Sequence, residues 1–150
     1  MIKQIDYMQL ALKEAVKAEK KNEVPVGAII VDHSGKIIAK AHNMVEFRNN
    51  PTCHAEKIVI EKALKITGHR FLQDCDLWVT LEPCAMCAGM IKQTRIKRLY
   101  YGAEDKKGGA VDNGPRVFSS NQVKSSIEIY SGISSKISKD LLNSFFTKLR

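Results

Sequence analysis

The sequence lacks a hydrophobic run long enough to span a bilayer. Its longest apolar stretches, such as VGAIIV at residues 26–31, fall far short of the roughly 20 residues that a transmembrane helix requires. The opening stretch MIKQIDYMQLALKEAVKAEKK also lacks the continuous apolar centre of a secretion signal, because lysines and glutamates interrupt it. These absences predict a cytoplasmic protein that does not contact a membrane.

Repeats, low-complexity linkers and abrupt changes of composition are also missing from the sequence. A chain of 150 residues, 44% of them hydrophobic, is long enough to bury one core. We therefore expect residues 1–150 to form a single domain.

Cysteine is scarce. The chain has four, Cys53, Cys75, Cys84 and Cys87, and the last two form its one C-x-x-C pair. In a reducing compartment such residues are metal ligands or buried thiols more often than disulfides. A lone C-x-x-C pair could serve a redox site or half of a zinc site. Without a second pair it cannot complete a structural zinc site with four cysteine ligands.

The hydrophobic periodicity predicts helices that alternate with strands. Asp6 is expected to cap a first helix that ends near Asn22, and Thr52 to cap a helix that ends at Gly68. Between these helices, VGAIIVD and KIIAKAHN form a predicted hairpin. Further along lie a strand (CDLWVTL), a short helix (CAMCAGMIKQT) and two more strands (KRLYYGA and SIEIYSG).

The closing stretch SKDLLNSFFTKLR predicts an amphipathic helix. Its apolar side is expected to hold Leu141, Leu142, Phe145 and Phe146. The whole order of elements predicts a three-layer α/β/α fold, in which helices cover both faces of a central mixed sheet of about five strands.

Two short motifs place metal-binding side chains at predicted helix starts. CHAE puts His54 and Glu56 in the first turn of one helix, and EPCAMC puts Cys84 and Cys87 three positions apart at the start of another. Unpaired N–H groups and the helix dipole favour thiolate over thiol there. One histidine and two cysteines leave the fourth tetrahedral position of a zinc ion open for water, as in catalytic sites. Because two thiolates weaken the pull of zinc on water, a base is needed, and Glu56 is expected to supply it.

Each of these residues, taken alone, has an ordinary structural explanation. A single histidine is more often a surface or core residue than a ligand, and a glutamate in a first helical turn often only complements the helix dipole. The order H-x-E followed by P-C-x-x-C, however, is typical of zinc-dependent nucleobase deaminases. We therefore predict one catalytic zinc ion, held by His54, Cys84 and Cys87.

Cys53 is the competitor for the metal. Neighbouring residues on a helix point about 100° apart, so Cys53 and His54 are not expected to reach the same ion. We interpret Cys53 as a packing residue beside the site, and Cys75 as an inert thiol at the start of a buried strand.

Nearly the whole chain resembles the bacterial tRNA-specific adenosine deaminases of the cytidine deaminase superfamily. The resemblance rests on the blocks EVPVGAIIV, AHN, NPTCHAE, VTLEPCAMCAGMI and YYGAEDKKGGAV, and on the terminal FF that precedes basic residues. It implies a cytidine-deaminase-like fold, a homodimer with one zinc ion per subunit, and conversion of adenosine to inosine at the wobble position of a tRNA anticodon. Glu56 would carry the protons.

The resemblance also implies substrate contacts. Asn43 would hydrogen-bond the nucleoside, Pro25 and Val26 would form the pocket wall, and Ala55 and Pro83 would offer backbone groups to the base. Further out it implies Asp105 near the target nucleotide and a C-terminal tail along the RNA, formed by Phe145, Phe146, Lys148 and Arg150.

The chain carries a net charge of +8, and much of the excess lies between Lys92 and Lys124. That segment holds eight basic residues against three acids, which fits a tRNA anticodon stem-loop as partner, although a lysine-rich surface can also be merely solvated. Cys53 departs from the alanine common in the family, so a guanine or cytosine deaminase of the same fold is the alternative. A zinc-stabilised RNA-binding module without activity would not require Glu56.

Overall fold

The computed structural model describes residues 4–119 and 126–149. Five strands and five helices lie in these ranges: α1 (Tyr7–Lys20), β1 (Gly27–Val31), β2 (Ile37–His42), α2 (Val45–Arg48), α3 (Ala55–Thr67), β3 (Asp76–Leu81), α4 (Ala85–Gln93), β4 (Arg98–Ala103), β5 (Glu128–Tyr130) and α5 (Ser135–Lys148). None of the helices in this part of the chain is long and apolar enough to cross a membrane.

The five strands form one mixed sheet in the order β2-β1-β3-β4-β5. β1 pairs antiparallel with β2, as the predicted hairpin requires, and it also pairs antiparallel with β3. β3 and β4 are parallel, and so are β4 and β5. The carboxyl ends of β3 and β4 therefore meet at one edge of the sheet, where the chain after each strand enters the same region.

Helices cover both faces of the sheet, so the predicted three-layer α/β/α fold is confirmed. α3 packs on β1 and β2 and also contacts α4, whereas α1 and α5 pack on the other face. β1 is buried along its whole length, and its side chains alternate between the two layers. Ala28 and Ile30 join the core beneath α3, and Ile29 and Val31 join the core beneath α1.

Most helix ends follow the predictions. Asp6 caps α1 by accepting a hydrogen bond from the Gln9 N–H at 3.0 Å, and Gly68 ends α3 with a left-handed φ of 69°. The prediction for Thr52 was wrong, because His54 is the N-cap residue of α3. The Thr52 hydroxyl and N–H both donate to Asn50 Oδ1, which closes a turn before the helix begins.

One short helix and the start of the last helix were not predicted. The short helix α2 lies between β2 and α3, where only a turn was expected. α5 begins at Ser135, before the predicted start at residue 138. Of its expected apolar residues, Phe145 is buried, but Phe146 is 46% exposed and does not belong to the core.

We predict that Gly27→Ala destabilises the fold, because α1 passes very close to β1 at this residue. A Cβ atom on Gly27 would overlap the Ala11 carbonyl oxygen and lie 2.5 Å from the Ala15 backbone nitrogen. The free energy of unfolding, measured with urea, should fall by about 1–3 kcal/mol or more. Gly89→Ala in α4 is the control, because a Cβ there meets nothing within 4 Å. Equal effects of the two substitutions would contradict this account.

Candidate metal and catalytic site

The backbone at the start of α3 presents His54 to the site. His54 has extended dihedral angles (φ −75°, ψ 153°), so it stands just outside the helix as its N-cap residue. Its own side chain does not cap the helix. Instead Asn43 Oδ1 accepts a hydrogen bond from the Ala55 N–H at 2.8 Å. Asn43 thus caps α3 in place of the N-cap side chain, and the His54 imidazole remains available as a ligand.

The start of α4 brings the two cysteines to the same point. Cys84 is the N-cap residue of α4, and Cys87 lies in its first turn. The distances from His54 Nδ1 are 3.5 Å to Cys84 Sγ and 3.6 Å to Cys87 Sγ. Tetrahedral zinc, with Zn–S of about 2.3 Å and Zn–N of about 2.0–2.1 Å, requires nitrogen–sulfur separations of about 3.6 Å. The three predicted ligands therefore have the spacing of a zinc site.

Cys53 is not part of this ligand group, although the reason differs from the predicted one. Among the described residues, the three ligand atoms that lie within 4.8 Å of one another belong to His54, Cys84 and Cys87. Because His54 is extended and not helical, Cys53 points away from it across the backbone. The Cys53 side chain is 2% exposed and packs in the main core.

Glu56 lies one residue into α3 and is buried, with 4% exposure. Burial raises the pKa of Glu56 to about 7, against the opposing effects of a backbone hydrogen bond and of His54. A carboxyl group with a pKa near neutrality can both accept and release a proton at physiological pH, which suits a general acid and base.

The two thiols shift the pKa of each other in opposite directions. The hydrogen bond from the Cys87 thiol, helped by His54, lowers the pKa of Cys84 to about 4. The same hydrogen bond, together with burial, raises the pKa of Cys87. Cys75 is different: burial, together with the nearby carboxylates of Asp32, Asp74 and Asp76, raises its pKa to about 11, as expected for an inert thiol.

The ligand group opens into a pocket of about 780 Å³. His54, Cys84 and Glu56 lie at its floor, and Val26, Asn43 and Asp105 also line it. The remaining predicted substrate residues, Pro25, Ala55 and Pro83, are buried beside the pocket and do not line it.

The backbone groups that were predicted to contact the base already form hydrogen bonds within the protein. The Ala55 N–H donates to Asn43, and the Pro83 carbonyl accepts a hydrogen bond from the Ala110 N–H at 2.9 Å. The NH₂ group of Asn43 forms no hydrogen bond within the described ranges and is available to a ligand in the pocket.

The C-terminal helix closes one side of the pocket. Phe145, Phe146 and Leu149 all line it, and Phe146 and Leu149 are exposed. Lys148 instead forms an ion pair with Glu19 at 3.2 Å. Arg150, the last residue of the predicted tail, lies outside the described residues.

The sequence analysis missed two buried glutamates that line the pocket. Glu23 is 1% exposed, and its carboxylate accepts hydrogen bonds from the N–H groups of Glu46 (3.0 Å) and Phe47 (2.8 Å) at the start of α2. Glu82 is 2% exposed and directly follows β3. The signal was available, because both acids adjoin predicted buried strands, where a charged residue requires hydrogen-bond partners.

The described basic residues between Lys92 and Lys124 lie at both ends of β4 and do not form one surface. β4 crosses the sheet from Arg98 to Ala103, so Lys92 and Lys97 precede it at the far end, about 17–20 Å from the carboxyl end. Lys106 and Lys107 follow β4 and are exposed beside the pocket residues Asp105 and Gly108. Lys124 lies outside the described residues.

Comparisons with known proteins agree with this geometry. The family model described as the cytidine and deoxycytidylate deaminase zinc-binding region matches residues 1–103. The tRNA-specific adenosine deaminase of Rickettsia typhi is 50% identical over 144 residues, which cover 95% of this chain and 97% of the relative.

Solved structures extend the comparison. One from a study of A-to-I editing by tRNA:A34 deaminases at the wobble position of transfer RNA superposes with a TM-score of 0.87 at 46% identity, covering 91% of this chain and 98% of that chain. Guanine deaminase from Nitrosomonas europaea shares the fold, with a TM-score of 0.80 at 22% identity and coverage of 94% and 83%. The chain belongs to the zinc-binding cytidine and deoxycytidylate deaminase family and, within it, to the tRNA-specific adenosine deaminases.

Proposed function

We propose that this protein hydrolyses adenosine to inosine at the wobble position of a tRNA anticodon. The observation that carries the chemistry is the zinc-like spacing of His54, Cys84 and Cys87 beside the buried carboxyl of Glu56. The observation that supports the substrate is 50% identity to a tRNA-specific adenosine deaminase over nearly the full length.

Glu56 carries the protons in this proposal. A zinc ion held by the three ligands would supply a Lewis acid that makes water a stronger acid and a better nucleophile. Glu56 takes a proton from the attacking water and gives one to N1 of adenine, while the water oxygen bonds to C6. Glu56 then takes the proton of the new C6 hydroxyl and gives it to the amino nitrogen, so that the C6–N bond breaks, the C6 carbonyl forms and ammonia leaves. The balance is adenosine plus water to inosine plus ammonia.

The pocket residues orient the nucleoside in this proposal. The Asn43 NH₂ group would donate to the nucleoside, and Val26 would contact it as an apolar wall. We also retain Pro25, Ala55, Pro83 and Asp105 as proposed contributors to this site, the first three from behind the pocket surface. Unpaired anticodon bases suit such a pocket, because they can leave the loop and be read individually.

Three broader proposals accompany this function. Residues 1–150 form one zinc-dependent deaminase domain, two copies form a homodimer with one zinc ion each, and the protein is cytoplasmic. They are supported by the family to which the chain belongs.

We predict that Glu56→Gln abolishes turnover and leaves zinc binding intact. The amide keeps the size of the side chain but cannot carry a proton, so kcat should fall by about 100-fold or more. Inosine formation on an anticodon stem-loop measures activity, and metal analysis of the purified variant measures zinc. Near-normal kcat would remove Glu56 from the mechanism.

We predict that Cys84→Ala and Cys87→Ala lose zinc, because each removes one of the three ligands. Cys53→Ala is the matched control, since its thiol is buried in the core outside the ligand group. It should keep a full equivalent of zinc and its preference for adenosine, at a cost in stability of about 1 kcal/mol. Loss of zinc from the Cys53 variant would make Cys53 a ligand and contradict an open fourth position.

We predict that the two parts of the basic segment differ in their effect on RNA binding. Lys106→Glu with Lys107→Glu should raise KM for a stem-loop and flatten its salt dependence, with about 0.7–0.9 removed from the log–log slope per lost phosphate contact. Catalysis at saturating RNA should change little.

The control is Lys92→Glu with Lys97→Glu. It makes the same change of charge at the far end of the sheet, so it should raise KM less. Efficient deamination of free guanine or cytosine, without activity on RNA and without any effect of either pair, would replace the tRNA proposal with the small-base alternative.

A further inference from the structure

Glu82 is the most heavily hydrogen-bonded side chain near the site, and the deamination mechanism above gives it no role. It lies between the end of β3 and the ligand Cys84, and 2% of its surface is exposed. Its carboxylate accepts five hydrogen bonds of 2.7–3.1 Å, from the backbone N–H groups of Asp105, Val111, Asp112 and Asn113 and from Asn113 Nδ2.

All five donors belong to one segment, residues 105–113, which follows β4 and which we call the Glu82-bound loop. A buried carboxylate is costly unless N–H groups surround it, and hydrogen bonds to a charged acceptor are stronger than neutral ones. Because four of the five donors are backbone groups of one loop, their convergence on Glu82 constrains how that loop folds.

The loop approaches Glu82 so closely that one position admits only glycine. A Cβ atom on Gly109 would lie 2.5 Å from Glu82 Cδ and would overlap the Asp105 carbonyl oxygen. The hydrogen bonds between the loop and Glu82, which we call the Glu82 anchor, therefore depend on both the carboxylate and the absence of a side chain at residue 109.

This loop forms one wall of the pocket. Asp105 and Gly108 line the pocket together with Glu82, and Lys106 and Lys107 between them are exposed. On its other side Glu82 is joined through Pro83 to the ligand Cys84. One buried carboxylate thus connects the metal ligand to the wall that carries the two lysines.

We propose that Glu82 is a positioning residue for the nucleic-acid substrate, which holds the Glu82-bound loop at a fixed place relative to the zinc ligands so that this loop can receive the RNA. The proposal rests on the tRNA function proposed above. Glu82 does not transfer protons, since both of its oxygens already accept N–H hydrogen bonds. Its loss should therefore impair binding of the RNA more than the chemical step.

The test is Glu82→Gln, which turns an NH₂ group toward N–H donors. In the free protein, hydrogen exchange of peptides covering residues 105–113 should become about tenfold faster or more, because at least one buried hydrogen bond is lost. KM for an anticodon stem-loop should rise about tenfold, with kcat changed by less than about threefold and zinc content unchanged.

The matched control is Glu104→Gln, next to the loop. Glu104 is exposed and accepts a single hydrogen bond, from Asn113 Nδ2 at 2.9 Å. This variant should leave both the exchange rates and KM within about twofold of the wild type. Unchanged exchange in Glu82→Gln, or a loss of kcat without a rise in KM, would overturn the proposal.

Two further variants decide the matter if Glu82→Gln does not fold. Asn113→Ala removes one donor and keeps the backbone N–H, so it should produce a smaller rise in KM and in exchange. Gly109→Ala should also raise KM and the exchange rates, because its added Cβ would push the loop away from the Glu82 carboxylate. If neither changes exchange or KM, Glu82 does not position the loop. If the wild type forms no inosine in any stem-loop, the proposed function is wrong, while the exchange rates still test the anchor.

Discussion

The tetrahedral geometry of one metal site is the constraint on which the rest of the structure depends. One nitrogen and two sulfur atoms must lie about 3.6 Å apart on two separate helices. The fold satisfies this by ending β3 directly before α4 and by bringing the start of α3 to the same edge of the sheet. Because both ligand groups stand at helix N-termini, neither His54 nor Cys84 can cap its own helix, and Asn43 caps α3 from a distance.

The same edge of the sheet carries two buried carboxylates that shape opposite parts of the pocket. Glu23 binds the first N–H groups of α2, and Glu82 binds the loop after β4. Short segments of this kind lack the long ladder of backbone hydrogen bonds that keeps a long helix or a sheet rigid. Charge-assisted hydrogen bonds to a buried acid provide that rigidity instead, and the donors offset the cost of burying the charge.

Sequence patterns predicted those parts of the protein that have a strong local signal. The central sheet, the cap at Asp6 and the end of α3 at Gly68 were predicted because periodicity, capping and left-handed glycine act within a few residues. The zinc ligands were predicted because their order, H-x-E followed by P-C-x-x-C, is a pattern typical of zinc-dependent nucleobase deaminases. Thr52 was assigned wrongly because Asn50 competes for its side chain, and the role of Glu82 was missed because its partners are at least 23 residues away.

Substrate choice within this family must depend on the walls of the pocket and not on its floor. The floor, with His54, Glu56 and the two cysteines, sets the reaction and is compatible with adenine, guanine or cytosine. Cys53, the residue that suggested a small-base substrate, is buried in the core and does not line the pocket, so it cannot read the base directly. The residues that can do so are Val26 and Asn43, together with residues on α2, on the Glu82-bound loop and on α5, where Phe146 is exposed. An aromatic side chain and two lysines at the rim, Lys106 and Lys107, suit a base that is stacked while its phosphates are held outside, which is how single-stranded nucleic acid is bound.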